Sequence, residues 1–194
     1  PERVAALADP QRKERILSET TGQGFMRLFR LMDEGRKIWL MTDPPNYEPD
    51  PKDSLHAQAI ARGQDPWSYV YDVLLQNQGK AMLYTPFANY AEDNLDCCRD
   101  MILHKDTVMG LGDGGAHVGT ICDASFITSL LTHWGRDRTR GEGIDLPTLI
   151  KCQARDTARA VDLTDRGTLE VGMRADVNVI DFDNLRVRLP EIVN

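Results

Sequence analysis

The amino-acid sequence predicts an α/β protein, and three features of the chain support this class. Short apolar stretches typical of strands alternate with amphipathic stretches typical of helices between residues 37 and 111. The apolar run 107–111 passes into a Gly-rich turn, as a buried parallel strand does when it reaches the end of its sheet. After residue 165 apolar residues recur at every second position, which predicts short antiparallel strands.

The first half of the chain contains predicted helix starts and two predicted strands. Helices are expected over 10–19, 54–61 and 65–76, because each starts with Asp or Ser, in two cases followed by proline. The apolar stretch 25–33 is either a buried helix or part of a longer core segment. Residues 37–42 and 81–85 are predicted strands, since prolines that cannot continue a ladder follow both.

The second half is predicted to continue the alternation. Helices are expected over 90–105, with Asn89 or Tyr90 at the boundary, over 123–134, and from Asp145 to about residue 161. The strand from Thr107 follows the first of these helices directly, and strands paired in parallel need such a crossover. The charged stretch 136–143 is predicted to be an exposed loop.

Asp113 is the main candidate for chemistry. It follows the predicted strand among glycines, which lack a Cβ and let a ligand approach closely, so its carboxylate is a candidate metal ligand or general base. A simple turn residue is the alternative. His117, four residues later, could reach the same site, or could be an exposed or core histidine. Tyr90 and Asn89 could line the pocket, with a helix cap as the alternative for Asn89.

Composition narrows the partners of this 194-residue chain. With a formal net charge of -7 and scattered Lys and Arg, the chain shows no basic footprint for nucleic acid or anionic membrane, so a small-molecule partner is expected. The sequence has no secretory signal and no apolar run near the roughly 18 residues of a membrane helix, so a cytoplasmic location is expected. Its 4 cysteines form no Cys-x-x-Cys pair and are expected to be reduced thiols.

Two segments resemble a known superfamily. Residues 167–181 read Gly-Thr-Leu-Glu-Val-Gly-Met-Arg-Ala-Asp-Val-Asn-Val-Ile-Asp, and residues 110–117 read Gly-Leu-Gly-Asp-Gly-Gly-Ala-His. The first resembles a segment near the end of amidohydrolase superfamily enzymes. With the second, the chain looks like the C-terminal part of an N-acyl-D-amino-acid deacylase of the D-aminoacylase type. The resemblance covers residues 91–187 and extends loosely back to residue 38.

The resemblance implies part of a metal-dependent (β/α)8 barrel with an inserted subdomain, followed by short strands of a β-sandwich. The expected domains are 1–164 for the partial barrel and 165–194 for the sandwich strands. Asp113 matches the family's aspartate after the eighth barrel strand, which contacts the metal, zinc by this resemblance, and accepts the proton of the attacking water. The implied substrate is an acylated amino acid or a similar amide, with His117, Tyr90 and Asn89 as candidate contacts.

The histidines depart from the family pattern. His56, His104, His117 and His133 are the only 4 in the chain, and none stands two residues from another, so the family's His-x-His pair has no counterpart. We therefore expect a C-terminal portion that is inactive alone, retains no zinc, and associates with itself or with an N-terminal portion. Two alternatives stay open: a cyclic amidase resembling hydantoinase or dihydroorotase, and a non-catalytic α/β binding or assembly module.

Overall fold

The computed structural model describes residues 2–19, 35–86, 88–110, 112 and 124–191. The chain divides into two compact units, Pro1–Asp93 with Leu189–Asn194, and Asn94–Arg188. The predicted boundary between residues 164 and 165 stays a prediction. The predicted core segment 25–33 lies outside the described residues. None of the helices in the described ranges combines the length and apolar character needed to cross a membrane.

The described helices of the first unit are α1 (Glu2–Leu7), α2 (Pro10–Ser18), α3 (Leu55–Ala61) and α4 (Pro66–Leu74). The three helix starts predicted in this half are confirmed. Asp9, Ser54 and Asp65 each accept a hydrogen bond from a backbone amide of the following turn, at 2.9, 3.1 and 2.7 Å. A one-turn 3-10 helix, Pro51–Asp53, precedes α3. After α4 a short turn, Gln76–Gly79, contains Asn77 and Gln78 at positive φ, so the helix ends before the predicted residue 76.

Both predicted strands of the first unit form, but they are shorter than predicted. Strand β1 is Trp39–Leu40 and strand β2 is Leu83–Tyr84. They pair antiparallel, with Trp39 opposite Tyr84. A single crossover helix brings the chain back to the end of the sheet where the first strand began, so the next strand runs parallel to the first. Here two helices, α3 and α4, connect the strands, and the second strand runs in the opposite direction.

The apolar core of the first unit joins the strands to α3 and α4. It consists of four buried residues, Ile38, Leu55, Val70 and Val73, with Trp67, Tyr69 and Leu83 packed against them. The backbone amide of Leu55 also donates to the carbonyl of Ile38 at 2.8 Å, which joins the start of α3 to the residue before β1.

The described helices of the second unit are α5 (Asp96–Leu103), α6 (Phe126–Ser129), α7 (Leu146–Lys151) and α8 (Thr157–Ala160). The π-helical segment Leu130–Asp137 continues α6, and a second one, Cys152–Asp156, joins α7 to α8. The predicted start at Asp145 is confirmed, and the hydrogen bond from the amide of Thr148 lowers the pKa of Asp145. The buried core is Leu130, Leu131, Trp134, Ile144 and Leu149.

The start predicted for α5 is wrong. Asn89 and Asp93 have φ values of 60° and 59°, so residues 89–93 form turns, and α5 begins only at Asp96. Asn89 is therefore not a helix cap. The residue before the helix is Leu95, whose side chain forms no cap hydrogen bond. Acidic Glu92 and Asp93 thus lie before the helix.

The predicted strand from Thr107 does not form over residues 107–110. The Thr107 hydroxyl donates to the carbonyls of Met101 and His104, at 2.5 and 2.8 Å, and its amide donates to the carbonyl of His104. Thr107 therefore closes the turn at the end of α5, so its amide is not available to a strand ladder. Val108 is 49% exposed and not buried as a barrel strand requires.

The structure departs from two further predictions for the second unit. The loop 136–143 is not wholly exposed, because the Arg138 side chain is fully buried. The described residues from 165 to 191 form turns and extended segments without strand pairing. Their amides bond locally instead, as Arg174 does to the carbonyl of Asp165 at 2.7 Å and Met173 does to that of Glu170 at 3.1 Å.

Candidate active site

Asp113 and His117 lie outside the described residues, so their proposed roles stay predictions. The chain that leads to them is described as far as residue 110 and again at Gly112. After the turn closed by Thr107, Met109 packs against the buried core of the second unit. Among the described residues, no atom lies within 4 Å of the position that a Cβ would take at Gly110. The segment that precedes Asp113 is therefore packed against the core at Met109, whereas the described residues leave space around Gly110.

Tyr90 is one of the two candidate substrate contacts that the structure describes, and it is buried in the first unit. Its hydroxyl donates to the carbonyl of Pro49 at 2.6 Å. Its ring packs edge-on against Trp39, with the ring centroids 6.0 Å apart. Trp39 in turn donates its indole N–H to the carbonyl of Asp50 at 2.9 Å. Tyr90 and Trp39 therefore hold residues 49 and 50 together against the strand pair.

Lys37 fixes the turn that follows Tyr90. Its ammonium group donates to the carbonyls of Tyr90 and Ala91, at 2.6 and 3.2 Å, and pairs with the Asp93 carboxylate at 3.0 Å. Asn89, before this turn, is exposed. In the sequence, Lys37 and Trp39 are recognised only as parts of a predicted strand. Their contacts with Tyr90 could not be predicted, because they join residues about fifty positions apart.

We expect Tyr90→Phe to lower the free energy of unfolding of the chain by about 1 kcal/mol, because it removes the donor for a buried carbonyl. Urea denaturation of the 194-residue chain measures this change. Tyr71→Phe is the matched control, since the Tyr71 hydroxyl donates to the carbonyl of Leu7 in a less buried place, and its cost should be smaller. Unchanged stability of Tyr90→Phe would contradict the structural role described here.

The described residues contain no group of three His, Cys, Asp or Glu side chains that could hold a metal ion. The histidines among them are dispersed. His104 accepts a hydrogen bond from the amide of Asp106 at 3.3 Å. The His133 ring packs edge-on against Trp134, with the centroids 5.0 Å apart. The part of the chain that the structure covers therefore does not by itself fit a metal centre.

Comparison with known families identifies the class of protein. The model of the amidohydrolase family matches residues 51–194, a span that includes both segments on which the sequence resemblance depends. The chain belongs to the amidohydrolase family and is a hydrolase of that type. No curated protein and no solved structure matches the chain.

Proposed function

We propose that this chain is part of a deacylase that hydrolyses the amide bond of N-acyl-D-amino acids, with Asp113 as the general base and a metal contact. The observation that carries the proposal is the family match, which extends from residue 51 to residue 194. It therefore spans both the Gly-rich segment around Asp113 and the segment 167–181. The narrower assignment to the D-aminoacylase type depends on the sequence of those two segments.

Asp113 would move one proton in the reaction. Its carboxylate accepts a proton from water as the water oxygen bonds to the amide carbon, and then passes that proton to the nitrogen as the C–N bond breaks. The products are a carboxylic acid and a free amine. His117 would contact the substrate carboxylate or the scissile carbonyl, while the contacts expected of Tyr90 and Asn89 stay predictions from the sequence.

In this proposal Asp113 is the only residue to which a contact with the metal is assigned. Enzymes of the amidohydrolase family are generally metal-dependent, and zinc is the ion that the sequence resemblance implies. The described residues provide no cluster that fits an ion, so no catalytic step is assigned to a metal on any of them. The proposed barrel domain 1–164 and sandwich segment 165–194 belong to the same proposal.

A panel of substrates tests the reaction class. The product of the entire open reading frame that contains this sequence should release amino acid from N-acetyl-D-amino acids and much less from the L-enantiomers. Faster turnover of hydantoins or dihydroorotate would favour the cyclic amidase instead. Absence of turnover with every amide, in a folded and metal-supplemented protein, would favour a non-catalytic module.

We expect the 194-residue chain alone to show no deacylase turnover and to retain no stoichiometric zinc. One carboxylate cannot provide the several ligands of a catalytic zinc site or orient a water molecule. Turnover of an N-acetyl-D-amino acid and metal content after dialysis are the measurements. Zinc-dependent turnover by this chain, lost in Asp113→Asn, would contradict the prediction.

Self-association or binding of an N-terminal portion is the proposed partnership. It is supported by the exposed apolar side chains of the C-terminal segment, among them Leu169, Val171 and Val179. Extended segments that expose apolar side chains and unpaired amides readily pair with another chain.

A further inference from the structure

Arg136 contacts the C-terminal segment with an unusually complete set of hydrogen bonds. One terminal nitrogen, Nη1, donates to the carbonyl of Phe182 and, at 3.1 Å, to that of Asp183. The other, Nη2, donates to the carbonyl of Leu185 at 2.8 Å. Both Nε and Nη2 also donate to the carboxylate of Asp137, at 2.6 and 3.0 Å. All the N–H donors of a guanidinium are thereby used.

Apolar contacts accompany these hydrogen bonds. The guanidinium carbon lies 5.5 Å from the centroid of the Phe182 ring. Phe182 and Leu185 pack against the buried core of the second unit. A Cβ added to Gly135 would lie 3.5 Å from the Phe182 ring and 3.2 Å from Leu149, so the ring lies directly over a glycine of the π-helical segment.

The chain before this anchor is held at its other end by Gly167. Its φ is +88°, and an added Cβ would lie 2.6 Å from the Cα of Arg155, so only glycine fits this approach to the second π-helical segment. Between Gly167 and Phe182, Leu169 is 79% exposed and Val179 is 96% exposed. A segment with few buried apolar contacts and only local hydrogen bonds opens at low free energy.

We propose that residues 168–185 form a strap that opens and closes as a local unit, with Arg136 as the anchor that holds it shut, while the helices of the same unit stay folded. Opening breaks the bonds from Arg136 to the strap and lifts Phe182 off Gly135, which uncovers the buried core next to Leu149. The anchor is not a pH switch, because a guanidinium stays protonated wherever proteins fold. The hydrogen bond with Asp137 further raises the pKa of Arg136.

Hydrogen exchange measured by mass spectrometry on the 194-residue chain tests the strap. Arg136→Lys keeps the charge but cannot serve these separated acceptors, so amides of the strap, residues 168–185, should exchange about tenfold faster. Exchange in α7 should not change. Arg99→Lys is the matched control, since Arg99 pairs with Glu142 at 2.9 Å and donates to the carbonyl of Gly143, and neither is part of the strap. This control should leave strap exchange unchanged.

The unmodified chain provides an independent measurement. Exchange of the strap amides should depend weakly on added urea, since local opening exposes little surface, whereas exchange of α7 should depend strongly on it. Equal acceleration of the strap and α7 in Arg136→Lys, or equal urea dependence of the two, would overturn the proposal. Unchanged strap exchange in Arg136→Lys would also overturn it.

Discussion

Asp113→Asn should lower turnover of an N-acetyl-D-amino acid by about two to four orders of magnitude in the product of the entire open reading frame. The amide of asparagine has nearly the size of the carboxylate, but it carries no negative charge and cannot take a proton from water. Stability should change little, because asparagine keeps the size of the aspartate side chain. The measurements are kcat and KM, with metal content and the thermal midpoint of the same preparation.

A matched substitution separates this effect from the general cost of losing a charge. Asp176→Asn makes the same chemical change at an exposed aspartate that pairs with Arg174 at 3.0 Å, and it should leave turnover unchanged. Loss of bound metal in Asp113→Asn would assign the aspartate chiefly to ligation. Near-normal turnover in a folded, metal-loaded Asp113→Asn protein would return Asp113 to the role of a turn residue.

Local signals in the sequence predict helix starts well. At Asp9, Ser54, Asp65 and Asp145 the side chain that accepts the hydrogen bond and the amide that donates it are three residues apart. Such a contact depends on the sequence alone, since no distant part of the chain is needed to form it. The helix ends at residues 18 and 61 likewise agree with the predicted ends to within a residue.

Contacts between distant residues could not be predicted in this way. The sequence indicates an exposed charged loop around Arg138, yet this guanidinium lies 4.8 Å from the centroid of a Trp134 ring and pairs with Asp96 at 2.5 Å. The pairing with Asp96 joins residues 42 positions apart, so no local pattern in the sequence indicates it. The same reason applies to the strand pair, because Trp39 and its partner Tyr84 are far apart in the chain and the two helices α3 and α4 come between them in sequence.

The same distinction between local and distant contacts applies to the candidate site. The likeness of residues 110–117 to a catalytic segment is a local signal, and the family match supports it. The contacts of Tyr90 join residues that are far apart in the sequence, because its hydroxyl donates to the carbonyl of Pro49 and its ring packs against Trp39. The sequence therefore indicates Tyr90 as a candidate pocket residue, but it cannot indicate that the side chain is buried in the first unit.

Leu149 and Ile150 are neighbours on α7, but the structure buries only one of them. Leu149 is 0% exposed and belongs to the buried core with Leu130 and Trp134, whereas Ile150 is 39% exposed. Leu149→Ala should therefore lower the free energy of unfolding of the 194-residue chain by about 2 to 5 kcal/mol, from lost apolar transfer and the cavity left behind.

Ile150→Ala is the control for this substitution, since it removes a similar number of carbon atoms from the same helix turn. Its cost should stay below about 1 kcal/mol, because much of the Ile150 side chain is already in contact with water. Urea denaturation followed by tryptophan fluorescence reports both variants, since Trp134 lies in the same core as Leu149. Equal destabilisation by the two substitutions would show that α7 does not direct Leu149 alone into the core. A larger loss in Ile150→Ala would reverse the assignment of the buried face of this helix.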